Sequence, residues 1–217
     1  MRRILAAAVL VTAAFALGNA GSAAGQPATT SNTYVSPPIE GLVVSAATGR
    51  PVGGAPVFAF WIGPLVPEVL VNTLHVSEAV TAADGRFTVP GWRRTVKHPV
   101  EPERSGLWVV APGHTLTHTS LKDLTPGRRV RIELAPAPAD PARRAERLRN
   151  DFSLLVLILA SLPRGPSPKI VDVLVAEAAR LPEELREGLP DRAGFEWMVN
   201  EFRAFYEQAA AGAEGRE

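Results

Sequence analysis

Between Ile39 and Leu134 the chain is cut into short runs of β-branched and aromatic residues by Gly, Pro and Asp, and no helical period develops anywhere in that stretch. Punctuation of that kind restricts the region to short strands joined by tight turns. The runs predict strands at Ile39–Ser45, Val57–Trp61, Val69–Val80, Arg86–Val89, Leu107–Ala111, Thr115–Thr119 and Val130–Leu134. Side chains alternate along a strand, so Leu42, Val44 and Ala46 share one face and Val43 and Ser45 the other. Val130, Ile132 and Leu134 alternate with Arg131 and Glu133, the signature of a strand with one wet face. Seven such strands with turn signals between them predict an all-β sandwich. Two connections, Ile62–Pro67 and Gly91–Gly106, are longer than a minimal sandwich needs and are natural places for function.

After a short Pro/Ala linker (APAPAD, 135–140) the pattern turns helical. Asp140 predicts an N-cap, and Pro141 suits the first helical position. Leu148, Phe152, Leu155, Leu159 and Leu162 recur at helical spacing, and Leu154, Val156, Leu157 and Ile158 make that end apolar all round, which predicts burial. Ser167 and Pro168 repeat the cap signal before a stripe of Ile170, Val171, Leu174, Ala178 and Leu181. A third helix is predicted from Asp191, with Phe195, Met198, Val199, Phe202, Phe205 and Tyr206 packing into a core, and fraying is expected from Ala210.

The first residues read as an address. Arg2 and Arg3 precede the apolar run Ile4–Leu17, and small residues follow as far as Ala24. Charge, apolar core and small-residue zone are the order of a secretory signal, and the run is shorter than the ~20 residues of a membrane span. The predicted organisation is a signal at 1–24, a flexible leader at 25–38, a β-region at 39–136 and a helical region at 137–217. The chain carries 23 Lys+Arg against 22 Asp+Glu, so without Arg2 and Arg3 it is close to neutral. A general nucleic-acid binder needs a basic footprint, so that class is set aside. Arg143, Arg144, Arg147 and Arg149 are read as a solvated helix face. With no cysteine there is neither a thiolate ligand nor a lipid-attachment site, and the expected location is periplasmic or secreted.

The β-region resembles the carboxypeptidase regulatory-like domain, a small transthyretin-like sandwich. Gly41-Leu-Val-Val44 stands as the first strand, followed by Thr48-Gly49-Arg50-Pro51-Val52-Gly53-Gly54-Ala55-Pro56-Val57. Then come Thr81-Ala-Ala-Asp84-Gly85-Arg86-Phe87 and a later Val110-Ala-Pro112-Gly113-His114. Ala82 departs from the family's usual Asp, and one extra Gly precedes Ala55. The resemblance implies a seven-stranded antiparallel prealbumin/transthyretin-like sandwich without catalysis. Together with the leucine-rich end, it is also similar to a group of exported bacterial proteins built on this domain, in which sandwich and helices form one unit. Physically, Gly49 and Gly85 suit turns with positive φ, Asp84-Gly85 is a hairpin signal, and Phe87 and Trp108 are core fillers.

Relatives by shape include enzymes, and their motifs bear on this chain. His75-Val-Ser-Glu78 has the bare spacing of a carboxypeptidase zinc motif but lies in a strand. The Tyr-Arg-Gly-Ser signature of transthyretin-like hydroxyisourate hydrolases does not occur. His114 and His118, if both on one strand, stand about 13 Å apart, too far for one metal. Ser105 and Ser120 belong to no readable triad, and no phosphate loop occurs. No catalytic residue, metal or cofactor is therefore assigned. The expectation is a binding or scaffolding module for an envelope protein or glycan, with Trp61, Trp92 and His98 as contacts. A hydrolase would require His75, Glu78, His114 and His118 to converge. A membrane-associated accessory protein would use Phe152–Leu162.

Overall fold

A computed structural model describes residues 32–64, 71–96, 98–125, 127–162 and 168–214. The signal stretch, most of the leader and the start of the strand predicted at Val69 lie outside them. The described residues hold nine strands: β1 (Asn32–Ser36), β2 (Ile39–Ser45), β3 (Pro56–Ile62), β4 (Thr73–Val80), β5 (Arg86–Val89), β6 (Trp92–Val96), β7 (Gly106–Val109), β8 (Thr117–Ser120) and β9 (Val130–Leu134). Three helices follow: α1 (Pro141–Ala160), α2 (Lys169–Ala179) and α3 (Arg192–Glu214). The strands form a three-stranded sheet β5-β2-β9, a four-stranded sheet β4-β3-β7-β8 and a ribbon β1-β6.

Three expectations change. The leader contains β1, and the Gly91–Gly106 connection contains β6, which pair with each other from Asn32↔Val96 to Ser36↔Trp92. The strands are not all antiparallel either, since β2 and β9 run parallel from Gly41↔Val130 to Ser45↔Leu134. Nine strands in three sheets replace the seven expected.

Every residue of β3 is buried, because both of its faces are covered. Val57, Ala59 and Trp61 point into a core shared with Val43, Phe87, Val89, Ile132 and Leu134 of the three-stranded sheet. Phe58, Phe60 and Ile62 point the other way, into a second core with the helices. β7 divides likewise, with Leu107 and Val109 in the first core and Trp108 in the second. Period-two alternation thus serves two cores at once, which explains why β3 reads as unbroken apolar sequence. The outer strands keep a wet face: Ile132 and Leu134 are buried while Arg131 and Glu133 are exposed.

The turns rest on a few residues. Gly85 has φ +77°, and a Cβ there would lie 2.5 Å from the Val43 carbonyl oxygen, so only glycine fits. The preceding Asp84 accepts from the Arg86 N–H. Thr81 is buried; its hydroxyl donates to the Val52 carbonyl at 2.7 Å and accepts from the Ala55 N–H at 2.9 Å, tying the 51–55 turn to the end of β4.

The helices lie on the outer face of the four-stranded sheet. Asp140 caps α1 by accepting from the Ala142 N–H at 2.9 Å, as expected. Leu148, Phe152, Leu155 and Leu159 are buried, but Leu154 is 52 % exposed, so α1 is not buried all round. Ser167 lies outside the described residues, and Pro168 at the start of α2 has no side chain to cap with. Instead the Glu78 carboxylate of β4 accepts from the Ile170 N–H at 3.3 Å, where an α2 donor lacks an intrahelical partner. Asp191 performs the same service for α3 at Gly194. Phe195 and Val199 are buried, whereas Phe202 and Phe205 are largely exposed, and the side chain of Tyr206 lies outside the described residues. The Arg203 guanidinium donates to the Leu159 and Leu162 carbonyls at the C-terminal end of α1, and α3 continues to Glu214, past the expected fraying point. Among the described residues, no helix is long and apolar enough to cross a membrane.

Candidate functional site

The end of β3 turns Trp61 toward the three-stranded sheet, and the β1-β6 ribbon closes over it. Trp61 pairs in register with His75 of β4, its ring 5.3 Å from the imidazole. Trp92, the first residue of β6, packs edge-on against Trp61 at 5.4 Å and lies 4.4 Å from His75. Tyr34 of β1 completes the cluster, 5.0 Å from Trp92. Both indole N–H groups, of Trp61 and Trp92, are buried, and neither makes a hydrogen bond of good geometry among the described residues, although that of Trp61 lies near the Tyr34 hydroxyl. Buried donors are nearly always satisfied, so two such groups side by side call for an explanation. Burial, and then the Arg94 charge, hold the His75 pKa below the ordinary imidazole range, so His75 is neutral at pH 7 and packs as an aromatic.

The cluster backs onto a cleft of about 360 Å³. Tyr34, Ser36, Ile39 and Trp61 line one wall, and Leu121, residues 123–125 and residues 127–131 line the other. Burial pushes the Tyr34 pKa up, while the Trp61 indole pulls it back part of the way. Arginines 128, 129 and 131 stand at the rim. Arg129 pairs with Glu40 at 3.3 Å and Arg131 with Glu133 at 3.0 Å. Arg128 has no carboxylate partner among the described residues. Ser36, Asp123 and Thr125 add donors and acceptors, so the site offers an aromatic wall, a balanced polar rim and one uncommitted guanidinium.

Trp61 and Trp92, anticipated as contacts, are therefore brought together. His98, the third, is half-buried in the bend after β6 and is not part of the cluster. Tyr34 was missed, hidden in a Ser/Thr-rich segment; its one signal was an aromatic next to Val35, just before Pro37-Pro38.

The four residues a hydrolase would need do not meet. His75 faces the Trp cluster, while Glu78, three residues along the strand and therefore on the opposite face, faces α2. Burial raises the Glu78 pKa, and the Ile170 and Lys169 N–H groups lower it. His114 holds the Pro112 carbonyl at 3.0 Å in its own turn. His118, on β8, stacks on Phe60 at 5.9 Å. Ser105 is fully buried and structural: it accepts from the Ile62 N–H at 2.8 Å and donates to the Glu101 carbonyl at 2.7 Å. Among the described residues, no three His, Asp or Glu side chains converge as a metal site would require.

No family model matches the chain. No curated protein matches it either. Among solved structures it is similar to a 9R-lipoxygenase from Cyanothece PCC8801, 13 % identical over 74 % of this chain and 28 % of that chain, with a TM-score of 0.27. A likeness so slight carries no argument about fold or activity.

Proposed function

We propose that this chain is an exported, non-catalytic binding module of the cell envelope. Its β-region is a transthyretin-like sandwich of the carboxypeptidase regulatory-like kind, extended by the β1-β6 ribbon. Three strands and four strands sharing one core support that reading, as do the ordered turn motifs around Gly49, Gly85 and Gly113. Export rests on Arg2, Arg3 and the apolar run to Leu17.

The ligand is a glycan held in the cleft beside Tyr34. One observation carries this choice: the Trp61 indole N–H, in a residue only 1 % exposed that lines the cleft, has only a weak approach to the Tyr34 hydroxyl and no hydrogen bond of good geometry among the described residues. A sugar hydroxyl entering as the Tyr34 ring turns outward satisfies it, and the mixed rim of arginines, Asp123, Thr125 and Ser36 matches a polyhydroxylated molecule. The test is a tryptophan-fluorescence titration with a soluble disaccharide muropeptide. A saturable change is expected, weakened at least ten-fold by Tyr34→Ala or Arg128→Ala. A flat titration on folded protein overturns the glycan assignment.

A further inference from the structure

The charges lining the cleft beside Tyr34 differ in number by sign. Arg128, Arg129 and Arg131 line it, and among the described residues Asp123 is the one carboxylate that does. Glu40 and Glu133, the partners of Arg129 and Arg131, stand outside the lining. An occupant therefore meets guanidiniums directly and two of the three carboxylates only behind them.

Neither of these ion pairs locks its arginine. All four side chains are more than half exposed, and exposed pairs are worth at most ~1 kcal/mol. Each pair is made through Nε of the arginine, so the terminal nitrogens of the fork can serve a second acceptor. Arg128 has no carboxylate partner at all among the described residues. Its own N–H donates to the Thr125 carbonyl at 3.1 Å, and Gly127 before it takes φ +76°, so a closed turn holds its Cα at the wall of the cleft.

The three kinds of occupant fare differently here. A cationic sugar would meet Asp123 but stand against three guanidiniums, where like charges repel. A neutral sugar would serve Asp123 and the Trp61 N–H and leave Arg128 to water. A sugar with one carboxylate serves all of them, because a planar carboxylate matches the guanidinium fork and the sugar hydroxyls donate to Asp123. One uncommitted guanidinium balances one charge, which favours a carboxylate over a phosphate monoester of nearly two.

We propose that the cleft beside Tyr34 takes an acidic glycan, its carboxylate held by Arg128 with Arg129 and Arg131 alongside and its hydroxyls donating to Asp123. The acidic group goes beyond the glycan assignment, on which it rests.

Calorimetric titration of the full chain separates the two. The probes are the disaccharide of N-acetylglucosamine and N-acetylmuramic acid, its carboxamide, which keeps the shape and loses the charge, and the disaccharide of glucosamine, which is cationic. The acid is expected to bind at least about ten-fold more tightly than the carboxamide, and the cation more weakly than either. Arg128→Gln, a change at an exposed side chain that should leave the thermal melt unaltered, is expected to bring the acid to within about two-fold of the carboxamide. Raising sodium chloride from about 20 to about 300 mM should narrow the same gap in the unaltered protein. Equal affinity for acid and carboxamide overturns the acidic assignment and leaves the glycan reading standing. So does tighter binding of the cation, and a gap undiminished in Arg128→Gln removes Arg128 as the receptor. Failure of all three probes to bind folded protein overturns both readings.

Discussion

Asp151 shows how one residue couples burial to pH. Desolvation, opposed by Arg147, raises its pKa from 3.8 to about 6. The folded state therefore binds this proton more tightly than the unfolded chain does. The group's favourable contribution is complete below about pH 4 and is lost as pH rises through about 6. A shift of that size corresponds to about 3 kcal/mol, an order-of-magnitude figure. Other charged or titratable groups around the carboxyl are Glu103, Arg104 and His118, across the gap between α1 and the four-stranded sheet, and His114, Arg144 and Glu177, around a small cavity on the other side of Asp151. Asp151→Asn should flatten the dependence of stability on pH between 4.5 and 7.5, gaining most at the upper end. Urea midpoints at pH 4.5, 6 and 7.5 on both proteins measure it; parallel curves would show that Asp151 does not titrate in this window. Gly85 makes a different residue-scale case. A methyl there meets the Val43 carbonyl at 2.5 Å in a left-handed turn, so Gly85→Ala should cost about 2 kcal/mol or more, read as a lowered urea midpoint at unchanged slope.

At the scale of elements, Glu78 links a strand to a helix. Its carboxylate reaches the start of α2 where no side chain at Pro168 can cap. Glu78→Ala should destabilise the protein by about 1 kcal/mol, with hydrogen exchange of the first α2 amides rising before that of β4. Exchange rising equally in both would mean that the contact orders the strand and not the helix. The same elements show what local sequence reveals. β5 and β9 were legible because apolar and polar residues alternate in Arg86–Val89 and Val130–Leu134. β6 was not, because Arg93, Arg94 and Thr95 look like loop, and its partner β1 lies about sixty residues earlier. The parallel β2-β9 register is likewise a long-range fact that no turn announces. Trp61 and Trp92 could be named as candidate contacts, being large aromatics near long connections. Their meeting with Tyr34 depends on the ribbon and stayed hidden with it.

At the scale of the whole molecule, β3 and β7 are the shared wall of two cores. One core joins the two sheets; the other joins the four-stranded sheet to all three helices, through Phe58, Phe60 and Trp108 on one side and Phe152, Leu155, Ile170 and Phe195 on the other. A helical layer that buries this much apolar surface against the sheet cannot unfold alone without stripping the outer faces of β3 and β7. The chain should therefore unfold in one transition, with far-ultraviolet circular dichroism, dominated by the helices, and tryptophan fluorescence, dominated by the sheet region, following the same curve. Phe152 tests the coupling from the helical side. It is 2 % exposed and packs 5.7 Å from Phe195, with no tryptophan on its own helix. Phe152→Ala should cost about 3–5 kcal/mol and shift both curves together to lower urea. If the dichroism curve moved and the fluorescence curve stayed, the helices would be an independent unit resting on the sheet, and the second core would contribute nothing to the stability of the first.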